Sequence, residues 1–342
     1  MTKRGRAGGQ HHAVAPLSAD IGKALAPVSA DLLQVRLATY QDAARGAYAR
    51  ATEKAFQSDS AVFTAWCSGR GTIALPALPD TVAAFIEAMA EQRKPATIRR
   101  YVSTISHMHK AAEVQNPCTD HVVRFALRRM AKALSVRQQQ AKGINRRLLD
   151  RMLDAANSAP RDLRNRALLA VAYDTLARRS ELVALQLEDL KVDQDGHGSI
   201  LIRQSKTDQL GEGSTRYLAP DTVQLAREWV ACAGLTDGAL FRATRWNGAV
   251  GGALTPGDVG RIFKAMATAA KLPAQAIDEI SGHSTRVGAA QDMEAADIGM
   301  AGIMQAGGWK TPTMVGRYTS QQATRKSGAA KLAERQGRVE SY

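Results

Sequence analysis

A polar stretch at residues 137–143, Arg-Gln-Gln-Gln-Ala-Lys-Gly, separates two parts of the chain that differ in hydrophobic pattern. It lacks the apolar periodicity of a packed helix or strand, which makes it the best candidate for a linker. A chain of 342 residues also exceeds the size of an average single domain. We therefore predict a flexible arm over 1–19, a helical domain over 20–136, a linker over 137–143 and a second domain over 144–342.

The sequence of the first domain is typical of packed helices. Alanine is abundant, and apolar residues recur at helical spacing over 30–55, 58–68 and 81–91, with a Gly/Pro loop at 69–79. Pro95 occupies a position that a first helical turn tolerates, so a further helix is predicted over 95–114. A basic helix is predicted over 124–136. The first domain is therefore expected to be all-helical.

The second domain has a mixed pattern. Helical spacing over 145–157 and 161–177 is followed by strand-like alternation over 199–205. Residues 216–218 are a candidate partner strand across the glycine-rich loop 207–214. Helical patterns dominate again after residue 221. The predicted fold class is mainly α, with an α+β second domain that is mostly helical and contains a small β-hairpin.

The composition favours a polyanionic partner. The formal net charge is +14 and the pI is near 10.0, which suits nucleic acid, although ribosomal and lipid-surface proteins share this property. No segment approaches the ~20 apolar residues of a membrane span, and the N-terminus lacks the apolar run of a secretory signal. Three widely separated cysteines form neither a disulfide framework nor a zinc pattern. We expect a cytoplasmic protein without a membrane partner.

Seven side chains in the second domain have the chemistry of a phosphate site. Arg178 and Glu181 are three residues apart where a helix begins, and so are His283 and Arg286, which lie at the start of a helix predicted to reach about residue 296. Lys206 follows the predicted strand. Trp309 follows two glycines, and Tyr318 lies nine residues later, at the predicted end of a short helix opened by Thr311 and Pro312.

Each of these residues, taken singly, has a commoner structural explanation. An Arg-x-x-Glu pair is usually a surface ion pair, a hairpin lysine is usually solvated, and single histidine, tryptophan and tyrosine residues usually pack in a protein core. Together, however, they supply cations and N–H donors for a phosphate and an oxygen nucleophile for its phosphorus.

In order and spacing these residues resemble the active site of the tyrosine recombinases, the phage integrase family, and residues 281–309 are most similar to its Cre-type members. The resemblance implies that Arg178 and Arg286 clamp the scissile phosphate and that Glu181 orients its neighbours. It implies that Lys206 is the general acid and that Tyr318 is the nucleophile. Trp309 would donate its indole N–H, and His283 would contact the phosphate and accept the tyrosine proton. Whether His283 is the sole base stays open.

The resemblance also implies a function and partners. Relatives exchange DNA strands through a 3′-phosphotyrosyl intermediate and a Holliday junction, as homo-tetramers assembled on inverted-repeat sites. We therefore expect a nucleoid-associated bacterial, phage or plasmid-encoded enzyme, monomeric or weakly oligomeric when free, that needs no metal or cofactor. A helical tail over 323–337 would dock on a neighbouring protomer. Gly257 stands where Cre-type members carry a guanine-reading arginine, so a different target sequence is expected.

By the same resemblance, the helix over 95–114 would enter a major groove. Arg99 and Arg100 could each fork onto a guanine or hold a phosphate, and both possibilities stay open. The expected DNA-contacting residues are Lys94, Thr97, Arg99, Arg100, Ser103, Lys110, Arg128, Arg129 and Lys132.

Two other functions are compatible with parts of this pattern. A type IB topoisomerase shares the chemistry but relaxes supercoils as a monomer, and a catalytically silent DNA-binding protein would keep only the fold. Recombined products from a two-site plasmid would exclude the first, and a covalent adduct lost in Tyr318→Phe would exclude the second.

Overall fold

The computed structural model describes residues 29–134, 140–205, 208 and 211–338, apart from the side chains of 321, 322 and 325. The chain divides into two compact units, Met1–Gln138 and Gln139–Tyr342. The predicted arm over 1–19 and the first residues of the predicted linker lie outside the described residues. Within the described ranges, no helix combines the length and apolar character that a membrane crossing requires.

The first unit is built from α-helices. Their bounds are α1 Ala30–Ala43, α2 Arg50–Ser68, α3 Pro79–Ala90, α4 Pro95–Ala111 and α5 His121–Ala133. The predicted apolar stripe of α4 faces the core, where Ile98 and Ile105 are fully buried together with Phe63 and Phe85. Burial of these side chains is the main force that holds the helices together.

Several predicted helix boundaries in this unit were wrong. The segment 30–55 is two helices rather than one, because the chain turns between α1 and α2, where Gly46 adopts φ 77°. Helix α4 stops at Ala111, and Glu113 has a left-handed φ of 53°. Helix α5 begins at His121, three residues earlier than predicted, because the Asp120 side chain caps it by accepting the Val122 N–H at 2.8 Å.

The second unit is α+β and mostly helical. Its helices are α6 Arg146–Asp154, α7 Pro160–Thr175, α8 Arg179–Ala184, α9 Pro220–Ala233, α10 Pro256–Ala269, α11 Ala274–Asp278, α12 Ser284–Ala295, α13 Met300–Gly307, α14 Pro312–Arg325 and α15 Gly328–Arg335. Helix α7 is buried along most of its length, and it packs with Trp229 of α9 and Phe263 of α10 in one continuous core.

Two small antiparallel sheets complete this unit. Strands β1 Leu190–Val192, β2 Gly198–Ile202 and β3 Ser214–Leu218 pair in that order, with Gly198 opposite Leu218 and Ile202 opposite Ser214. The predicted hairpin is confirmed, although β2 ends at Ile202 rather than at residue 205. Strands β4 Arg242–Thr244 and β5 Val250–Ala253 form a second hairpin that the sequence did not predict.

The C-terminal helices differ from the prediction in their lengths. Pro312 does open α14, but this helix continues to Arg325, so Tyr318 lies in its middle rather than at its end. The tail over 323–337 is not one helix. It breaks after Arg325, and Ser327 caps a separate helix, α15, by accepting the Ala330 N–H at 3.3 Å.

Candidate active site

Arg178 and Glu181 are joined at the first turn of α8. Arg178 is the N-cap residue, and its backbone N–H donates to Glu181 Oε2 at 2.8 Å while its Nη1 donates to Oε1 at 2.6 Å. The Glu181 side chain is buried, whereas that of Arg178 remains 20% exposed. Glu181 therefore fixes the arginine from the protein side and leaves other guanidinium N–H groups available to a ligand.

Arg286 lies in the first turn of α12 and is only 3% exposed. Its guanidinium donates to the carbonyl of Leu176 and, at 2.7 Å, to the carbonyl of Gly307. Leu176 ends α7 in the left-handed conformation, at φ 49°. Burial, with a contribution from nearby Arg178, lowers the pKa of Arg286 to about 10. Arg286 is still charged near pH 7, and two backbone carbonyls hold its orientation.

Trp309 covers the guanidinium of Arg286. The central guanidinium carbon lies 4.1 Å from the Trp309 ring centroid, in the geometry of a cation–π contact. This position is possible only beside a glycine, since a Cβ at Gly307 would lie 2.0 Å from the indole ring. The glycine pair noted in the sequence therefore lets the indole reach the buried arginine.

Tyr318 packs against the ring of Trp309. Its ring centroid is 5.8 Å from that of Trp309, with the ring planes tilted by 56°. Tyr318 is partly exposed on α14, and its phenol is close enough to contribute electrostatically to the pKa of Arg286. Arg286 of α12, Trp309 of the connection between α13 and α14, and Tyr318 of α14 thus form one connected group.

His283 is the N-cap residue of α12, three residues before Arg286. The residue is exposed, yet desolvation of the imidazole by the surrounding groups lowers its pKa below the ordinary value of 6.5. Nearby Arg286, Arg179 and Arg178 lower that pKa further. The imidazole is consequently neutral near pH 7 and can accept a proton.

A groove of about 700 Å³ lies beside Arg178 and Trp309, between the β2–β3 hairpin and the end of α13. Lys206 belongs to this hairpin in sequence, but it lies outside the described residues, so its role stays a prediction. Arg216 of β3 lines the groove and donates from Nη1 to the Gln305 carbonyl. Burial, reinforced by nearby Arg178, lowers the pKa of Arg216.

Sequence reasoning did not single out Arg216 as part of the site. One feature of the sequence could have identified Arg216. It lies in the predicted strand that follows the loop carrying Lys206. Within the described ranges, histidine, cysteine and carboxylate side chains form no group of three that could hold a metal ion.

In the first unit, the expected DNA-contacting residues lie at α4 and α5. All of them are exposed except Thr97, which is partly buried. The structure distinguishes Arg99 from Arg100. Arg100 donates to both carboxylate oxygens of buried Asp59, at 2.7 and 2.8 Å, whereas no described residue pairs with Arg99. Arg129 also has a partner, Glu87, at 2.6 Å.

Comparison with known proteins gives matches over most of the chain. Residues 143–325 match the model of the phage integrase family. The recombinase cre of Escherichia phage P1 is 28% identical over 291 residues, covering 80% of this chain and 85% of that protein. An integrase/recombinase xerD homolog of Selenomonas ruminantium is 32% identical over 283 residues, covering 79% of this chain and 81% of the relative.

Solved structures show the same fold. A XerH site-specific recombinase bound to palindromic difH substrate superposes with a TM-score of 0.57 at 19% identity, covering 75% of this chain and 72% of that one. The Tn1549 transposon integrase in complex with circular intermediate DNA superposes with a TM-score of 0.61 at 14% identity, covering 86% and 99% of the two chains.

Proposed function

The chain belongs to the phage integrase family and is Cre-like, and on this basis we propose that it is a tyrosine site-specific recombinase. It cleaves and rejoins DNA through a 3′-phosphotyrosyl intermediate. Within the site, one observation supports this proposal most directly. The guanidinium of Arg286 is held by two carbonyls and covered by Trp309, and this indole also contacts Tyr318.

Arg178 and Arg286 stabilise the charge that develops on the non-bridging oxygens of the scissile phosphate. Each is fixed before substrate arrives, Arg178 by Glu181 and Arg286 by backbone carbonyls. Preorganised donors of this kind cost little reorganisation in the transition state, and removal of one typically raises the barrier by ~2.7–4 kcal/mol. Arg216 and the indole N–H of Trp309 are further donors at the groove wall.

Tyr318 supplies the nucleophile. Its phenolic oxygen attacks the phosphorus and forms the Tyr–O–P bond, while the bond from phosphorus to the 5′ oxygen breaks. Neutral His283 accepts the phenolic proton, and Lys206 donates a proton to the departing 5′ oxygen. The new link is itself a phosphodiester, so the 5′ hydroxyl of a partner strand can reverse these steps without ATP or a metal ion.

The proposed partner is double-stranded DNA with inverted-repeat sites, bound by a homo-tetramer that exchanges strands through a Holliday junction. Support comes from the net charge of +14 and from the exposed basic residues of α4 and α5. Arg99 is the better candidate for a base contact, because Arg100 already forms a bidentate pair with Asp59. Helix α15, which buries no residue within its own chain, is proposed to dock on a neighbouring protomer.

The proposal is tested with DNA that the purified protein selects by binding from a random-sequence duplex pool. Two copies of a selected duplex are placed in one supercoiled plasmid, and the products are separated after incubation without metal ions. Recombinants that depend on Tyr318 are the expected result. Relaxation without recombinants would assign the chain to topoisomerase chemistry, and binding without any change in the plasmid would identify a silent DNA-binding protein.

A further inference from the structure

The segment 140–145, which we call the strap, opens the second unit and runs along α12, the helix that carries Arg286. Two backbone hydrogen bonds attach it, one to the residues just before α12 and one to the first residue of this helix. The Lys142 N–H donates to the Glu279 carbonyl at 3.1 Å, and the Ile144 N–H donates to the Ser284 carbonyl at 2.8 Å. The strap is therefore attached to the helix start where the candidate phosphate-binding residues lie.

Two glycines allow this close approach. A Cβ at Gly288 of α12 would lie 1.9 Å from the Ile144 carbonyl oxygen, so any side chain there would displace the strap. A Cβ at Gly143 in the strap would lie 2.4 Å from Oε1 of Gln291, one turn further along α12. The strap and α12 are thus in direct contact at both of these positions.

The strap also reaches the backbone of Tyr318. Gln140 donates from Nε2 to the Tyr318 carbonyl at 3.2 Å, and Gln291 of α12 donates to the same oxygen, also at 3.2 Å. Two side-chain amides, one from the strap and one from α12, therefore meet at a single carbonyl in the middle of α14. Both glutamines and Tyr318 are partly buried, which strengthens these hydrogen bonds relative to exposed ones.

We propose that Gln140 is a positioning residue, which together with Gln291 fixes the backbone of Tyr318 relative to α12. Through Gln140, the strap is coupled to the proposed nucleophile. This inference rests on the proposed function, because it assigns Tyr318 the role of nucleophile. A displacement of about 1 Å at a reacting group can cost about 100-fold in rate, so two donors at this carbonyl control the reaction without touching the substrate.

Both donors belong to the second unit. Gln140 lies near the start of this unit and Gln291 lies on α12, so the Tyr318 carbonyl is tied to two parts of the unit that are far apart in sequence. Loss of the Gln140 donor leaves Gln291 as the remaining side-chain donor. The cleavage rate is therefore expected to depend on both glutamines.

The structural part of the proposal is tested by hydrogen–deuterium exchange on the full-length protein without DNA. Gln140→Leu removes the donor but keeps a side chain of similar size. We expect amides in α14 to exchange about twofold to tenfold faster, the factor that corresponds to one net hydrogen bond. The matched control is Gln224→Leu, which removes an exposed amide that donates to Glu228 on α9. Unchanged exchange in α14 of Gln140→Leu would overturn the proposal.

The functional part is tested by the single-turnover rate of covalent adduct formation on a selected duplex. Gln140→Leu should lower this rate about tenfold while the affinity for the duplex stays within twofold of the parent. Faster α14 exchange with a normal cleavage rate would show that the contact is structural only and would overturn the positioning role. The exchange experiment needs no catalysis, so its result stands even if Tyr318 proves not to be the nucleophile.

A second variant guards against misfolding of the first. Gly143→Ala places a Cβ against the flexible end of Gln291 and should displace that amide from the Tyr318 carbonyl. It is expected to reproduce both effects. Gly252→Ala, whose new Cβ would meet no described atom within 4 Å, is the glycine control and should change neither. Parent-like exchange and cleavage in Gly143→Ala would count against the role of the shared carbonyl.

Discussion

Trp309 lies over the guanidinium of Arg286, with the central guanidinium carbon 4.1 Å from the ring centroid. Arg286 is almost completely buried and donates to two backbone carbonyls, so the indole completes the enclosure of its charge. The same indole contacts the ring of Tyr318 at a centroid distance of 5.8 Å. Trp309 therefore links the buried Arg286 to the proposed nucleophile.

The first prediction follows from this contact. Trp309→Leu keeps an apolar side chain but removes the ring face, and we expect the cleavage rate to fall about 30-fold, the equivalent of ~2 kcal/mol for a desolvated cation–π contact. Trp309→Phe should lose less, because it retains an aromatic face. Single-turnover adduct formation measures both rates. Equal cleavage rates for Trp309→Leu and Trp309→Phe would contradict a role for the aromatic ring in holding Arg286.

The second prediction concerns Gly307. In Gly307→Ala the new Cβ would lie 2.0 Å from the Trp309 ring, and overpacking of this kind typically costs ~1–3 kcal/mol. We expect a lower melting temperature together with slower cleavage. Gly316→Ala on α14 is the control, because its Cβ would enter open space. Thermal unfolding followed by circular dichroism should show a loss of stability for the first variant alone.

The third prediction is a pH dependence set by His283. Desolvation and three nearby arginines lower its pKa below 6.5, so the neutral form, which is proposed to accept the phenolic proton, persists below that pH. The cleavage rate should therefore rise with pH through a midpoint below 6.5 and then stay level up to pH 8. Between the lowered pKa of folded His283 and the ordinary value of 6.5, this residue binds more protons in the unfolded state than in the folded state. The contribution of His283 to stability is accordingly lost as the pH falls.

A pH–rate profile of adduct formation checks this prediction. His283→Gln keeps hydrogen-bonding capacity but cannot take up a proton in this range, so its profile should be lower and should lack the inflection. A parent profile with its midpoint above 6.5 would contradict the assigned environment of His283.

The fourth prediction separates Arg99 from Arg100. Arg99 is exposed and has no partner among the described residues, so Arg99→Ala should weaken DNA binding and leave the melting temperature unchanged. Arg100→Ala leaves the buried Asp59 carboxylate without its bidentate partner. It should therefore destabilise the protein by ~1–3 kcal/mol, less than the loss of a fully buried pair because the Arg100 side chain is 55% exposed. The measurements are the melting temperature and the affinity for the selected duplex, each for both variants. An equal fall in melting temperature in Arg99→Ala and Arg100→Ala would contradict the prediction.

Features set by near neighbours in the chain were predictable. Arg178 and Glu181 lie at the start of α8 as their spacing indicates, and His283 and Arg286 lie at the start of α12. Gly307 indeed allows the Trp309 ring to approach the backbone. The β2–β3 pairing followed from strand alternation around a glycine-rich loop.

Contacts between distant parts of the chain were not predictable. Arg286 and Leu176 are 110 residues apart, and Arg216 and Gln305 are 89 apart, so neither contact leaves a periodic pattern in the sequence. Leu176 also adopts a left-handed φ that its residue type does not signal. The strap depends likewise on tertiary packing, since Gln140 and Tyr318 are separated by 178 positions.

Tyr318 is proposed to form a covalent bond to a DNA phosphorus, and every other assigned role depends on this step. The most direct measurement is mass spectrometry of proteolytic peptides from the protein after incubation with a selected duplex that carries a nick beside the cleavage position. A nucleotide joined through its 3′ phosphate to the Tyr318 oxygen is expected, with no adduct in Tyr318→Phe, which keeps the ring contact with Trp309. An adduct on any other residue, or an undiminished adduct in Tyr318→Phe, would contradict this proposal.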